Sequence, residues 1–254
     1  MALTEDQIRV AICEIGRRLY AKNMVAANDG NISYRFSDDR ILTTPTGVCK
    51  GEMQPEMLVM VDLRGHPLGP GRPSSELPMH LFIYQHRRDV SAVVHAHPPH
   101  ATAFATAGIS LQECVAPEII TTLGSIPLAP YGTPSTPELP ESLRPFVSRY
   151  DAILLANHGA VTLGKDPWEA YFKMERLEHY ARIIFLARQL NGEKPLTKQD
   201  VEKLARVRQV YGLSGEAPGC VIPGSNNAPT SIDSQIEIEQ IIQTLVQEAK
   251  AHFK

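Results

Sequence analysis

The 254-residue chain carries 25 Lys and Arg against 28 Asp and Glu, a net charge of −3, and is 43% hydrophobic. That is ordinary globular composition, enough for one large domain or two small ones whose core needs no disulfide or metal to hold it. It excludes a global basic field of the kind that draws nucleic acid, and no run approaches the ~18 apolar residues of a membrane span.

The opening Met-Ala-Leu-Thr-Glu-Asp-Gln lacks the positive and apolar regions of a signal peptide, so a cytoplasmic protein is expected. Thr4-Glu5-Asp6-Gln7 has capping-box form, and Ile8, Ile12, Ile15 and Leu19 recur at helical spacing, which predicts an amphipathic helix over 4–21. Asn28-Asp29-Gly30 ends it. The alternating runs Ile32–Phe36 and Arg40–Thr43, separated by Ser37-Asp38-Asp39, read as a hairpin, and Met57–Val61 as a further strand. A helix starts after Ser74-Ser75-Glu76, with Pro78 tolerable in its first turn. Ala92–His97 is a buried-strand candidate, residues 100–107 a helix, and Ser125–Leu128 a weak strand.

Thr136-Pro137 opens another helix with Leu139, Leu143, Phe146 and Val147 on its apolar face. Short strands flank Asn157-His158-Gly159, and Asp166-Pro167 starts the longest helix, stopped near Leu190 by Asn191-Gly192. Thr197 caps a helix ending near Tyr211-Gly212. Strands and helices mix without a regular βαβ repeat, so the class is α+β or layered α/β/α. From Gly215 the chain turns Pro-, Gly-, Ser- and Asn-rich, predicting a linker over 214–233. Ile238, Ile241, Ile242, Leu245 and Val246 then form one stripe of an amphipathic helix over 234–254.

Cys13, Cys49, Cys114 and Cys220 are scattered without a C-x-x-C pair, and are expected to be reduced thiols. His95-x-His97 is the sharpest local signal. On a strand, residues two apart share a face about 6–7 Å apart, from which two imidazoles converge on one metal at about 2.0–2.1 Å. His158, in a tight turn, is a candidate third ligand, and three histidines with an open position suit catalytic zinc. Two ordinary strand-end histidines remain the other reading. The remaining histidines, His80 among them, default to structural or surface roles. Glu76 also reads as a helix-start glutamate favoured by the macrodipole, and Ser74 and Ser75 as capping residues. The same helix start presents hydroxyls and free N–H groups that hold anions. Gly30-Asn31-Ile32-Ser33 and Thr44-Pro45-Thr46-Gly47 are small polar turns, neither of them a P-loop or dinucleotide fingerprint.

Taken together and in order, Gly30-Asn31-Ile32-Ser33, Thr44-Pro45-Thr46-Gly47, Ser74-Ser75-Glu76, His95-x-His97 and Asn157-His158-Gly159 resemble the motifs of the class II aldolase/adducin family, within it most of all the L-fuculose-1-phosphate aldolases, over roughly residues 4–213. The resemblance implies a three-layer α/β/α fold with a central, mainly antiparallel sheet in a catalytic domain over 1–213, assembled as a homotetramer. It implies one Zn2+ per subunit held by His95, His97, His158 and, at rest, Glu76. It implies a substrate-phosphate site of Asn31, Thr46, Gly47, Ser74 and Ser75. The activity it implies is cleavage of a deoxy-ketose 1-phosphate of L-fuculose or L-rhamnulose type to dihydroxyacetone phosphate and lactaldehyde, with Glu76 shuttling the proton.

One family tyrosine, some twenty residues after the H-x-H, is missing: the chain reads Cys114-Val115-Ala116-Pro117-Glu118 there. A second family tyrosine matches Tyr211, in Tyr211-Gly212-Leu213, which makes it a catalytic candidate; Tyr131 and Glu118 are substitutes for the missing acid. A sugar-phosphate decarboxylase of the family is the alternative activity. A 4-epimerase is disfavoured because those relatives carry aspartate where Glu76 stands, and a non-catalytic adducin-like scaffold because it would lack the zinc ligands. The tail resembles encapsulation peptides that bind shell proteins of bacterial microcompartments, with packing on its own oligomer as the other reading. Nucleic acid and membrane are not expected partners.

Overall fold

The computed structural model describes residues 3–210 and 219–221. Tyr211 and most of the predicted linker and tail helix lie outside them. The described elements are α1 (Glu5–Ala21), β1 (Asn31–Ser37), β2 (Arg40–Thr43), β3 (Val59–Val61), α2 (Leu77–His86), β4 (Ala92–Ala96), α3 (Pro99–Thr106), α4 (Pro117–Thr122), β5 (Leu128–Ala129), α5 (Glu138–Ser142), β6 (Ala152–Leu155), β7 (Gly159–Gly164), α6 (Pro167–Leu190) and α7 (Lys198–Val210). None of these helices is long and apolar enough to cross a membrane.

Local chemistry sets the boundaries. Thr4 Oγ1 accepts from the Gln7 N–H while Gln7 Oε1 accepts from the Thr4 N–H, closing the capping box of α1. Asp166 accepts from the Glu169 N–H at the start of α6. That helix ends at Asn191, whose backbone has φ 150°.

The seven strands form one sheet in the order β3-β2-β1-β4-β7-β6-β5. Every pairing is antiparallel except β5 with β6. Side chains alternate between its faces. On β4, Ala92, Val94 and Ala96 join the core under α1, α3 and α6, while Val93 joins the core under α2 and α5. This is the three-layer α/β/α arrangement with a mainly antiparallel sheet. The alternation puts Asn31, Ser33 and His95 on the α2 face.

The buried guanidinium of Arg35 fixes the carboxy-terminal end of α2. It donates to the carbonyls of Tyr84, Arg87, Arg88 and Val90 at 2.6–3.1 Å, which satisfies helix-end acceptors with a cation.

The cysteines depart from expectation. Cys114 and Cys220 form a disulfide across a sequence separation of 106, while Cys13 and Cys49 are free. The pairing follows from the fold: Val221 lies beside Glu113 in a parallel bridge, and the Cys114 N–H donates to the Val221 carbonyl at 3.1 Å. Residues 219–221, inside the predicted linker, are thereby fastened to the domain.

Candidate active site

Three elements deliver the site. β1 and β4 are paired so that Asn31 stands directly opposite His95. Beyond β4, His97 is held by its N–H, which donates to the Met24 carbonyl at 2.8 Å. His158 comes from the β6–β7 turn, where Asn157 adopts φ 56° and Gly159 follows. Asparagine tolerates that left-handed conformation. Gly159 is required sterically, because a β-carbon there would lie 2.5 Å from the Ala96 carbonyl oxygen. Glu76 is the N-cap residue of α2 rather than a member of its first turn, and its side chain makes no capping bond. It is therefore free to face the histidines.

Each histidine offers one nitrogen, all within 4.8 Å of one another. His95 Nε2 lies 3.1 Å from His97 Nε2 and 3.2 Å from Glu76 Oε2, and His158 Nε2 lies 3.2 Å from Glu76 Oε1. His95 Nδ1 is 2.9 Å from the Ala160 carbonyl. A carbonyl only accepts, so Nδ1 carries the proton and Nε2 presents its lone pair to the cluster. His97 Nδ1 faces Asp29 at 3.5 Å, turning its Nε2 the same way. His158 Nδ1 is buried without a hydrogen-bond partner among the described residues. Imidazole lone pairs and a carboxylate converging on one point fit a divalent cation of zinc type.

Charge coupling dominates this cluster. Burial works against ionisation of Glu76, but the charges and hydrogen bonds of His95 and His158 outweigh it and hold the carboxyl far below the usual range. Burial also opposes a charge on His95, yet Glu76 beside it raises its pKa above the ordinary histidine value. Burial and the neighbouring His95 and His158 push His97 down to about 4.

The Thr44–Gly47 turn is laced to the segment that leads into α2. Pro45 pairs with Pro73, the Thr46 N–H donates to Arg72 and the Ser74 N–H to Thr44, both at 3.0 Å. Thr46, Gly47 and Ser75 are exposed, Ser74 is half-buried, and Gly47 turns at φ 72°. Ser74 Oγ accepts from the Glu76 N–H, so this rim runs directly into the metal-type cluster. Asn31 differs from these rim residues: it is buried, and its amide donates to Glu76 Oε2 at 2.8 Å.

Of the candidate acids, Tyr131 is exposed. Glu118 borders a cleft of about 1010 Å3 that also includes Lys22, His100, Arg176 and His179. The His cluster does not line that cleft.

Sequence reasoning passed over two residues. His80 is fully buried beneath Asn31 rather than peripheral, and the visible signal was the polar stripe Glu76, His80, Tyr84 at four-residue spacing on an apolar helix. Lys50, also fully buried, donates to the Asn28 and Val48 carbonyls at 2.8 and 2.7 Å and anchors the turn that carries Asp29.

Known proteins agree with this architecture. The family described as Class II Aldolase and Adducin N-terminal domain matches residues 10–185. A 3-oxo-tetronate 4-phosphate decarboxylase of Pectobacterium atrosepticum is 34% identical over 209 residues, covering 80% of this chain and 94% of the relative. An L-fuculose phosphate aldolase of Methanococcus maripaludis is 38% identical over 190 residues, covering 75% and 99%. The crystal structure of YgbL from Klebsiella pneumoniae superposes with a TM-score of 0.74 at 33% identity, covering 80% of this chain and 100% of that one. The chain belongs to the class II aldolase and adducin family.

Proposed function

We propose that the protein is a lyase that decarboxylates a phosphorylated four-carbon 3-oxo acid of the 3-oxo-tetronate 4-phosphate type. The observation that carries this reading is a site with convergent His95, His97, His158 and Glu76 but no tyrosine in Cys114–Glu118. Loss of carbon dioxide from such an acid breaks the C1–C2 bond and leaves its electron pair in an enediolate across C2 and C3. Protonation at C2 then gives dihydroxyacetone phosphate. Cleavage of a ketose 1-phosphate between C3 and C4 leaves the same enediolate, but it also requires a group to handle the proton of the C4 hydroxyl. Carbon dioxide departs without a proton, so decarboxylation needs no such group.

A Zn2+ ion held by His95, His97 and His158, with Glu76 at rest, would supply charge stabilisation for the enediolate oxygens. The chain's own residues supply the rest. The contacts with His95 and His158 keep Glu76 ionised. Away from them, its carboxyl regains an ordinary affinity for protons and can carry one to C2. The rim of Thr46, Gly47, Ser74 and Ser75 offers uncharged donors for the substrate phosphate, fixing the reacting carbons in register. Similarity to the decarboxylase over nearly its whole length supports this choice.

The second reading is the aldolase acting on L-fuculose or L-rhamnulose 1-phosphate, favoured by the 38% identity to the Methanococcus maripaludis aldolase. Incubation with each ester separates the two. The expected result is carbon dioxide and dihydroxyacetone phosphate from the 3-oxo acid, without lactaldehyde from either ketose. Lactaldehyde produced in step with dihydroxyacetone phosphate, and no carbon dioxide, would reverse the assignment.

The protein is further proposed to be a cytoplasmic homotetramer. The exposed Ile183, Leu186 and Leu190, at i, i+3 and i+7 of α6, offer an apolar stripe for self-association, which light scattering tests. Residues 234–254 are proposed to bind a microcompartment shell protein. A fluorescent fusion that stays diffuse in a compartment-forming host would reject that role.

A further inference from the structure

Beneath Glu76 runs a chain of buried side chains whose proton directions are dictated by chemistry. A carboxylate only accepts, so Asn31 must present its NH2 group to Glu76 Oε2, at 2.8 Å. Its carbonyl oxygen then points at His80 Nε2, which must carry a proton to donate to it. A neutral imidazole has one N–H, so His80 Nδ1 is an acceptor and takes the hydroxyl hydrogen of Ser33 at 2.7 Å. Ser33 Oγ in turn accepts from the Tyr84 hydroxyl at 2.7 Å. Asn31, Ser33, His80 and Tyr84 are all 3% exposed or less. Burial above all keeps His80 neutral, pushing its pKa down to about 3.

We infer that His80 is a positioning residue for Glu76, orienting the Asn31 amide so that it donates to Oε2. The sheet and helix supply the frame: Asn31 and Ser33 lie two apart on β1, and Glu76, His80 and Tyr84 lie four apart along α2. A residue without His80's donor would leave the buried Asn31 carbonyl oxygen without its partner and the amide free to shift away from Oε2. Glu76 would then lose its fixed placement beside His95 and His158. This inference rests on Glu76 as the proton-carrying group proposed above.

The test uses the full chain. In wild-type protein labelled with 15N-histidine, NMR is expected to show His80 as the Nε2–H tautomer. Ser33→Ala, which removes only the donor to Nδ1, should keep the Nε2–H tautomer and shift the Nδ1 resonance. In Co2+-loaded protein, His80→Leu should shift the visible absorption of the metal, and His80→Gln, which keeps a donor and an acceptor, should largely restore it. Turnover of the active ester should show kcat lowered about 10- to 100-fold in His80→Leu with KM nearly unchanged, and substantial recovery in His80→Gln. An Nδ1–H tautomer in wild type overturns the inference, as does a folded His80→Leu with wild-type kcat and Co2+ spectrum. Should His80→Leu fail to fold, the wild-type tautomer and the Ser33→Ala spectrum decide. If none of the phosphate esters reacts, the reaction proposed above fails, while the NMR and Co2+ measurements still judge His80.

Discussion

Gly159 and His97 are packed so closely that a β-carbon on the glycine would stand 2.7 Å from His97 Cδ2. The same atom would meet the Ala96 carbonyl oxygen, which is backbone and cannot swing aside. Gly159→Ala must therefore part β4 from β7 at the point where all three histidines meet. The expected cost is about 1–3 kcal/mol of stability, in the range of overpacking in a tight interior, together with weakened metal binding. Urea denaturation and metal titration measure both; unchanged values for both would show that the strands have slack.

Metal dependence should divide the ligand set by role. Chelation is expected to abolish turnover and added Zn2+ to restore it. His95→Ala should lower metal content, because it removes an Nε2 that the Nδ1–H bond to the Ala160 carbonyl holds in place. Glu76→Gln should retain metal on the three histidines and lose about 10²- to 10⁴-fold in kcat, the range for a proton-transfer group. Metal analysis beside kinetics checks this pattern. Full activity in the chelated enzyme would be incompatible with it.

Acid sensitivity should carry a signature of His80. Its folded pKa of about 3 lies below the ordinary 6.5, so as pH falls the unfolded chain takes up the proton first. The stabilising contribution is whole above 6.5 and is lost progressively as pH falls towards 3. The slope approaches about 1.4 kcal/mol per pH unit for one proton. His80→Gln should therefore lose stability less steeply than wild type between roughly pH 6 and pH 4, where only the unfolded histidine titrates. Parallel stability curves from urea melts would contradict the buried, neutral histidine.

The disulfide makes a countable prediction. Denatured without reductant, the protein should expose the thiols of Cys13 and Cys49 only, and reduction should add Cys114 and Cys220. Cys220→Ser should cost about 2–4 kcal/mol, as expected for a cross-link that closes a long loop. Thiol titration and melting curves read these effects, and four reactive thiols before reduction would exclude the bond.

Much of this architecture was legible locally. The capping box of α1, the hairpin and the Asp166 start of α6 are short-range events, and the chain shows them directly. Three of the five motifs carry the side chains that converge, Glu76, His95, His97 and His158, because each sits at an element end, where side chains are offered to a site. Other features depended on distant chain segments. The Cys114–Cys220 pair is set by the bridge at Val221, which no spacing rule encodes. α4 begins at Pro117 and packs on α7, a partner remote in sequence. The role of His80 depends on β1 lying under α2, so the residue looks unremarkable until Asn31 and Ser33 are placed opposite it. Asn31, which the resemblance assigns to the phosphate site, is buried and donates to the Glu76 carboxylate, a contact visible only once β1 and α2 are packed.

The pairing of Asn31 with His95 ties chemistry to threading. Were β1 to slip by one residue against β4, Ile32 would turn towards α2, and Asn31 and Ser33 would point into the opposite layer. Such a chain could still bury a sheet under helices, yet it would lack the seat for Glu76. The three histidines do not come from β1, so turnover per metal-loaded molecule of a refolded sample, rather than metal content, would count the molecules whose first strand found its proper partner.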